Sequence, residues 1–306
     1  MTDIALIFPG QGAQKVGMGR EFYENSAQAR AVFDQAEGIV GAGFKKVIFE
    51  GPQDVLTSTA YCQPAILTMS VAALKAFEAH ENFKKFNIRF TAGLSLGEYS
   101  ALAAAGLLSF EDTLKLVGQR ASFMEEAAKQ AKGAMAAVIG FDAQKLKDIC
   151  DRAGAEVANF NSLEQIVITG EADKVAQAVE DIKAASGKVI PLEVSGAFHS
   201  SLMKPAAEQF AAAVAWAQIQ PRPIQVISNV NARPHEQVGD IRRNLVLQIT
   251  SSVQWVASVE YMVSQGVTNF IEIGPGKVLR GLLRKINPNA KVCNIEKPED
   301  ILALAF

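Results

Sequence analysis

Short apolar runs alternate with longer amphipathic stretches along most of the chain. Residues 4–8 form an apolar run closed by a Pro-Gly pair, which predicts a buried strand that enters a turn. Residues 63–79 are rich in Ala, Leu, Val and Met and predict a buried helix. Ser109 and Asp112 form a capping box that opens another helix, which reaches about Lys129. Later segments continue the alternation, with a helix from about 202, a strand at 225–228, a helix near 256–265 and a strand at 269–273.

The rhythm of the pattern changes between residues 133 and 194. The predicted order there is strand, helix, strand, strand, helix, strand, at 133–140, 142–153, 157–160, 165–169, 172–185 and 188–194. This order is typical of ferredoxin-like domains. We therefore expect a small ferredoxin-like insert at residues 129–197 inside a larger α/β domain formed by residues 1–128 and 198–306.

Composition and charge narrow the class of protein. The chain has 306 residues, of which 49% are hydrophobic and 20% charged, as in ordinary globular proteins. Its net charge of −2 favours neither nucleic acid nor an anionic membrane as a partner. The N-terminus lacks the basic segment of a signal peptide, and no stretch approaches the ~18 apolar residues of a membrane span. We expect a monomer with no membrane partner.

Three scattered cysteines, Cys62, Cys150 and Cys293, form no Cys-x-x-Cys pair and have no histidine pair near them. This spacing predicts neither a disulfide framework nor a metal site. Free thiols suit a reducing compartment, so we expect a cytoplasmic protein.

A glycine-rich loop at residues 11–19 follows the first predicted strand and raises the possibility of nucleotide binding. A dinucleotide fingerprint requires glycine where Lys15 stands. A Walker loop requires Lys-Ser or Lys-Thr after Gly17, where the chain has Met-Gly. Both motifs are excluded, and no cofactor is expected. The loop still offers backbone N–H groups near the carboxyl end of a strand, where open α/β sheets bind ligands.

The pentapeptide Gly-Leu-Ser-Leu-Gly at residues 93–97 places Ser95 between a short extended run and a helix-forming run. A nucleophile elbow requires this strand–turn–helix context, because the sharp turn exposes the serine hydroxyl. Backbone N–H groups at the start of the helix could then stabilise an oxyanion. The pattern indicates acyl transfer or acyl hydrolysis, although a tight turn with an incidental serine is about as common for so short a motif.

A serine nucleophile needs a base, and the chain contains three histidines. His80 lies at a polar helix end and His235 in a polar loop, so we expect both to be solvated. His199 lies between a strand-like and a helix-like run, with small residues on both sides that leave room for a substrate. A lone histidine is more often a helix cap or a satisfied core residue, but the two poor competitors favour His199 as the base.

Arg120 lies in the predicted helix that Ser109 opens, at the edge of an apolar stripe. At ~100° per residue, it falls about 40° from Met124 on that stripe. An arginine in this position either extends its charge to solvent, which is the commoner case, or binds an anion.

Six motifs occur in order and cover essentially the whole chain. They are Phe8-Pro9-Gly10-Gln11-Gly12, Gly93-Leu94-Ser95-Leu96-Gly97-Glu98, Gln119-Arg120, Gly196-Ala197-Phe198-His199-Ser200, Val253-Gln254-Trp255 and Gly274-Pro275-Gly276-Lys277. Together they resemble the malonyl-CoA:acyl carrier protein transacylase family of bacterial fatty acid synthesis. The resemblance implies an α/β-hydrolase-like parallel-sheet domain that carries a ferredoxin-like insert. It also implies a ping-pong transfer of malonyl from malonyl-CoA, a coenzyme A thioester, to the phosphopantetheine thiol of acyl carrier protein.

The resemblance further implies roles at the matched positions. Ser95 would be the nucleophile and His199 the base, and the N–H groups of Gln11 and Leu96 would form the oxyanion hole. The main-chain carbonyl of Gln254 would orient His199 in place of a triad aspartate. The substrate-binding residues would be Arg120, which would hold the malonyl carboxylate, with Met124, Asn161, Phe198 and Gln254.

Two positions depart from the family pattern. Leu94 stands where the family usually has histidine, which makes the pocket more apolar, and Ser252 stands where the family often has proline.

Three other functions stay open. A serine hydrolase would need a triad acid and a histidine close to the C-terminus, whereas the chain continues well beyond His199. A binding protein without catalysis and a transacylase for a different acyl-CoA are two further possibilities.

Overall fold

The computed structural model describes residues 1–305 and shows a mixed α/β protein with two separate sheets. The strands are β1 Thr2–Phe8, β2 Phe86–Gly93, β3 Gly133–Ile139, β4 Glu156–Ser162, β5 Gln165–Glu171, β6 Lys188–Pro191, β7 Gln225–Val226, β8 Asn269–Ile273 and β9 Lys291–Ile295. The α-helices are α1 Arg20–Asn25, α2 Ala27–Val40, α3 Phe44–Glu50, α4 Gln53–Thr57, α5 Thr59–Glu78, α6 Gly97–Ala104, α7 Phe110–Gln130, α8 Ala143–Ala153, α9 Ala172–Ala184, α10 Lys204–Trp216, α11 Val238–Gln248, α12 Trp255–Ser264, α13 Val278–Ile286 and α14 Pro298–Leu302. Two 3₁₀ helices lie at Glu81–Lys85 and Ser201–Met203.

The larger sheet is parallel, with strand order β7-β2-β1-β8-β9. The central strand β1 is apolar along residues 4–8 because helices cover both faces of the sheet, and all five side chains are fully buried. Phe8 at the end of β1 lies opposite Gly93 at the end of β2. The loops that carry Gln11 and Ser95 therefore leave the sheet side by side, at the edge where open α/β sheets bind ligands.

The smaller sheet is antiparallel, with strand order β4-β5-β3-β6. Helices α8 and α9 contribute Leu146 and Ile182 to a buried cluster with Ile168 of β5. The backbones of Phe160 and Val253 connect this sheet to the rest of the chain: the Phe160 N–H donates to the Val253 carbonyl at 2.9 Å. The small sheet is thereby held at the rim of the edge that carries Ser95.

The structure confirms most of the predicted elements and revises some ends. Ser109 caps α7 as predicted, since its side chain accepts a hydrogen bond from the N–H of Asp112. Strand β6 ends at Pro191 instead of residue 194. One further hydrogen bond to β3 follows, from the Leu192 N–H to the Met135 carbonyl at 3.0 Å, and Leu192 and Val194 line a large cavity.

Residues 1–305 contain no helix that is both long enough and apolar enough to cross a membrane. Over the same residues, no group of three or more His, Cys, Asp or Glu side chains is arranged to hold a metal ion. Cys62, Cys150 and Cys293 are free thiols in the structure.

Candidate active site

Ser95 lies on a sharp turn between β2 and α6, with a positive φ of 51°. The turn is too tight for side chains at its flanking glycines. A Cβ atom on Gly93 would lie 2.1 Å from the carbonyl carbon of Gly97, and one on Gly97 would lie 2.1 Å from the carbonyl oxygen of Phe8. Glycine at 93 and 97 is therefore a steric requirement, and the strand–turn–helix geometry of a nucleophile elbow is present.

Asn229 holds the elbow from the protein interior. Its Oδ1 accepts a hydrogen bond from the N–H of Ser95 at 2.6 Å, and its Nδ2 donates to the carbonyl of Gly93 at 2.7 Å. Asn229 is buried, so both bonds are shielded from water. These contacts fix the backbone on both sides of the turn. Nothing in the sequence around Asn229 indicates this role.

His199 contacts Ser95 directly. The distance from Ser95 Oγ to His199 Nε2 is 2.8 Å, and the distance from His199 Nδ1 to the carbonyl oxygen of Gln248 is also 2.8 Å. A carbonyl can only accept, so Nδ1 carries the proton and Nε2 presents its lone pair to the serine hydroxyl. The pair has the geometry that a general base and its nucleophile require.

The carbonyl that orients His199 belongs to Gln248, and the expectation of Gln254 is wrong on this point. Gln248 is the last residue of α11, where carbonyl groups lack a partner within the helix. Gln254 caps the start of α12, and its carbonyl accepts the N–H and the hydroxyl of Ser258. A carbonyl at a helix end is free for the imidazole, whereas one at a helix start is already used.

Burial, together with the nearby Arg120 cation, lowers the pKa of His199 to about 4. The hydrogen bond to the Gln248 carbonyl opposes this shift. The imidazole is therefore neutral at neutral pH, which is the form that can take a proton from a hydroxyl group.

Arg120 is buried with 1% of its surface exposed, so it does not extend to solvent. Its Nη1 donates to Gln63 Oε1 at 2.7 Å, and its Nη2 donates to Gln248 Oε1 and to Ser95 Oγ, each at 3.1 Å. The guanidinium also lies 5.3 Å from the ring centre of Tyr99. Across residues 1–305, no Asp or Glu forms an ion pair with it. A buried cation thus touches the nucleophile without an acidic partner of its own.

A cavity of about 440 Å³ opens over Ser95, between the two sheets. Six other predicted site residues line it together with Ser95 and His199, namely Gln11, Leu96, Arg120, Met124, Asn161 and Phe198. Leu96 caps the start of α6, so its N–H group precedes the repeating hydrogen bonds of the helix. The Asn161 Oδ1 atom is buried and has no hydrogen-bond partner within the described chain. Gln254 lies instead on a neighbouring cavity, beside Ser252.

Glu98 and His235 form a buried pair behind the elbow, which corrects the expectation that His235 is solvated. The His235 side chain is 1% exposed, and its Nε2 lies 2.9 Å from Glu98 Oε1. The second carboxylate oxygen, Oε2, accepts from the Asn229 N–H at 3.1 Å and from Gln248 Nε2 at 2.6 Å. The Gln248 side chain therefore connects this pair to Arg120, and its carbonyl connects it to His199.

Sequence reasoning missed Gln63, Gln248 and Glu98. Glu98 directly follows the pentapeptide, and a carboxylate in the first turn of an otherwise apolar helix was a usable signal. Gln63 precedes Pro64 within the buried helix α5, where an uncharged polar residue amid apolar neighbours is a weaker signal. Gln248 carries no local signal, because its role depends on where α11 ends.

An elbow serine, a neutral histidine beside it and a buried arginine that has no acidic partner among the described residues form a site suited to acyl transfer through a serine ester. The profile of the acyl transferase domain family matches residues 5–295. The chain is 46% identical to the malonyl CoA-acyl carrier protein transacylase of Bacillus subtilis (strain 168), over 98% of this chain and 96% of the relative. It is 42% identical to the protein of the same name from Staphylococcus aureus (strain MRSA252), over 98% of each chain.

Solved structures of transacylases also superpose on nearly the whole chain. A malonyl CoA-acyl carrier protein transacylase from Clostridium perfringens superposes with a TM-score of 0.93 at 37% identity, covering 99% of this chain and 96% of that one. A malonyl-transacylase solved in complex with its holo type II polyketide acyl carrier protein has a TM-score of 0.94 at 33% identity, covering 99% and 98%. The chain belongs to the acyl transferase family.

Proposed function

We propose that this chain is an acyltransferase that moves a malonyl group from malonyl-CoA to the phosphopantetheine thiol of acyl carrier protein. The proposal rests on one observation: the Ser95 hydroxyl contacts both His199 and Arg120. Ser95 Oγ lies 2.8 Å from the base nitrogen of His199 and 3.1 Å from Nη2 of Arg120. A nucleophile beside a buried, acid-free guanidinium suits an acyl group that carries its own carboxylate. Relatives that cover nearly the whole chain carry this activity in their names.

In the first half-reaction, Ser95 Oγ attacks the malonyl thioester carbon while His199 Nε2 takes the hydroxyl proton. The N–H groups of Gln11 and Leu96 receive the oxyanion, a contribution of about 3 kcal/mol per donor in comparable sites. The tetrahedral intermediate then collapses, the C–S bond breaks, and His199 returns the proton to the departing coenzyme A thiolate. The product is a malonyl-Ser95 ester.

In the second half-reaction, the phosphopantetheine thiol of acyl carrier protein attacks the same ester. His199 takes the thiol proton and returns it to Ser95 Oγ as the C–O bond breaks. The two substrates use one site in turn, so the kinetics are ping-pong. The pathway needs no cofactor, because every proton transfer uses His199 and the acyl group is carried by Ser95.

Arg120 holds the malonyl carboxylate in this proposal, since a planar guanidinium can donate two parallel hydrogen bonds to it. Met124 and Phe198 form an apolar wall around the acyl group, and both are almost fully buried. Asn161 offers an unpartnered Oδ1 to the substrate at the rim formed by the small sheet. An acetyl group cannot form this ion pair, which should favour malonyl over acetyl by ~3–5 kcal/mol.

We further propose an α/β-hydrolase-like body at residues 1–128 and 198–306 and a ferredoxin-like insert at residues 129–197. The antiparallel order β4-β5-β3-β6 and its two helices support the description of the insert. We also propose that the protein is a monomer and that it is located in the cytoplasm. The free thiols of Cys62, Cys150 and Cys293 support a reducing compartment.

The test is the intact-protein mass after brief mixing with malonyl-CoA or acetyl-CoA, followed by holo-acyl carrier protein. The wild type is expected to gain a malonyl mass that far exceeds the acetyl mass and disappears when the carrier is added. Ser95→Ala is expected to gain neither, and Arg120→Ala to lose the malonyl adduct relative to the acetyl one. Free malonate without transfer would indicate a hydrolase, and no adduct without turnover would indicate a binding protein.

A further inference from the structure

The guanidinium of Arg120 is held by neutral partners on both sides. Gln63 Oε1 accepts from Nη1 at 2.7 Å, and Gln248 Oε1 accepts from Nη2 at 3.1 Å. Both glutamines are almost completely buried, with 1% and 0% exposure. Buried arginines usually require a carboxylate to compensate the cost of burying their charge. Here, amide oxygens orient the group and leave its positive charge intact.

A carboxylate is close by but is used elsewhere. Glu98 is fully buried, and its oxygens accept from His235, from the Asn229 N–H and from Gln248 Nε2. The Gln248 side-chain amide therefore lies between Glu98 and Arg120. Its Oε1 accepts from Arg120, while its Nε2 donates to Glu98 at 2.6 Å. An amide can satisfy both groups at once because it carries a donor and an acceptor, whereas a carboxylate in its place would oppose Glu98.

An internal carboxylate on Arg120 would compete with the acyl group. A ligand carboxylate gains most when it meets a desolvated, uncompensated cation, because the attraction is strong where water is excluded. If the cation already had an ionised partner, binding would require that pair to be broken or shared. The net attraction for a charged acyl group would then fall, while a neutral acyl group would lose nothing.

We infer that Gln63 and Gln248 are specificity-determining residues, which hold Arg120 through neutral amides so that its charge is reserved for an acyl group with a terminal carboxylate. The inference rests on the proposed function and deepens it. Neither glutamine has to touch the substrate for this effect, so both are positioning residues.

Gln63 offers the cleaner test. Among residues 1–305, the only further hydrogen bond of its side chain is a long one, from Nε2 to the sulfur of Met124 at 3.8 Å. Gln63→Glu therefore adds a charge beside Nη1 at nearly constant shape. Gln63→Met is the matched control, since it removes the same hydrogen bond without adding a charge. Gln248→Glu is less suitable because the new carboxylate would face Glu98.

Each variant is mixed with equimolar malonyl-CoA and acetyl-CoA, and the ratio of the two Ser95 adducts is measured by intact-protein mass at early times. This ratio reports the relative kcat/KM for acylation. In Gln63→Glu, we expect the malonyl-to-acetyl ratio to fall at least about tenfold while the acetyl adduct persists. In Gln63→Met, the fall should be several times smaller. If Gln63→Glu does not fold, Gln63→Asp introduces the same charge on a shorter side chain.

Three results would overturn the inference: an unchanged ratio in the acidic variant, equal falls in the acidic and Met variants, or loss of both adducts in both acidic variants. The wild type separates this test from the test of function. Without a malonyl adduct in the wild type, the proposed function fails. With that adduct present and the ratio insensitive to a charge at position 63, only the role of the glutamines fails.

Discussion

Two buried histidine side chains belong to the hydrogen-bond network of Gln248, His199 directly and His235 through Glu98. They differ in the kind of group that contacts the imidazole ring. His199 hydrogen-bonds to neutral groups, the hydroxyl of Ser95 and the carbonyl of Gln248, and it lies near the Arg120 cation. His235 contacts the buried carboxylate of Glu98 at 2.9 Å. The region around His199 favours a neutral imidazole, whereas the region around His235 places a carboxyl group against the ring.

In the proposed mechanism, one polar network holds two histidines for different purposes. A base that accepts and returns a proton in each half-reaction must be able to lose its charge easily, and a neutral carbonyl partner permits that. A histidine that satisfies a buried carboxylate needs no such freedom.

The largest effect that would test this contrast is expected for His199→Ala. Without the base, acylation of Ser95 should slow by about 10³-fold or more, because the serine hydroxyl is a poor nucleophile at neutral pH. The free energy of unfolding should change by less than about 1 kcal/mol, since the imidazole lines a cavity and satisfies no buried charge. Single-turnover acylation and urea unfolding measure the two quantities. A variant that kept a tenth of the wild-type rate would show that another group is the base.

His235→Ala should mainly lower the stability of the protein, whereas His199→Ala should mainly lower the rate of acylation. One oxygen of the buried Glu98 would lose its donor, which should lower the free energy of unfolding by about 1–3 kcal/mol. His235→Gln can still donate a hydrogen bond and should recover part of this loss. Urea unfolding of both variants, with His80→Asn at a half-buried cap as control, provides the measurement. If His235→Ala were as stable as the wild type, the carboxylate would not depend on the imidazole.

The smallest of these effects is expected for the pH dependence of acylation, because kcat/KM should hardly change near neutral pH. Because the pKa of His199 is lowered to about 4, kcat/KM for acylation should decrease only as the pH falls through about 4, well below the ordinary histidine value of 6.5. The unfolded chain binds the proton more readily than the folded one between these values. The contribution of His199 to stability is therefore complete above about pH 6.5 and is lost as the pH falls toward 4.

The control for this profile is Arg120→Met, measured on both proteins with acetyl-CoA as the donor. Removing the cation should move the acidic limb of kcat/KM toward higher pH, because Arg120 contributes to the low pKa of His199. A wild-type limb near pH 6.5 would contradict the lowered pKa and with it the burial of the base.

Local features of the fold were predictable because they depend on neighbouring residues. The cap at Ser109, the strand at 269–273 and the order of elements in the small sheet all follow from periodicity and capping chemistry. The pentapeptide also predicted the turn at Ser95, since glycines at 93 and 97 are what so tight a turn requires.

Contacts between distant parts of the chain were not predictable in the same way. The loop of His235 is polar in sequence, yet the fold buries that side chain against Glu98, which lies far away along the chain. The choice between Gln248 and Gln254 depends on which carbonyl a helix leaves free, and one motif match pointed to the wrong glutamine. The sequence thus predicted the chemical groups of the site better than the supports that orient them.

The position of β1 has a consequence for synthesis of the protein. This strand is made long before β8, yet it lies in the middle of the sheet, and its pairing with β8 joins Ala5 to Phe270. Until residues 269–273 have left the ribosome, one edge of β1, which is apolar along residues 4–8, has no partner. Such an edge can pair with a second nascent chain. We expect chains truncated before Asn269 to aggregate, so assembly of the Ser95 site depends on a strand made more than 170 residues after Ser95.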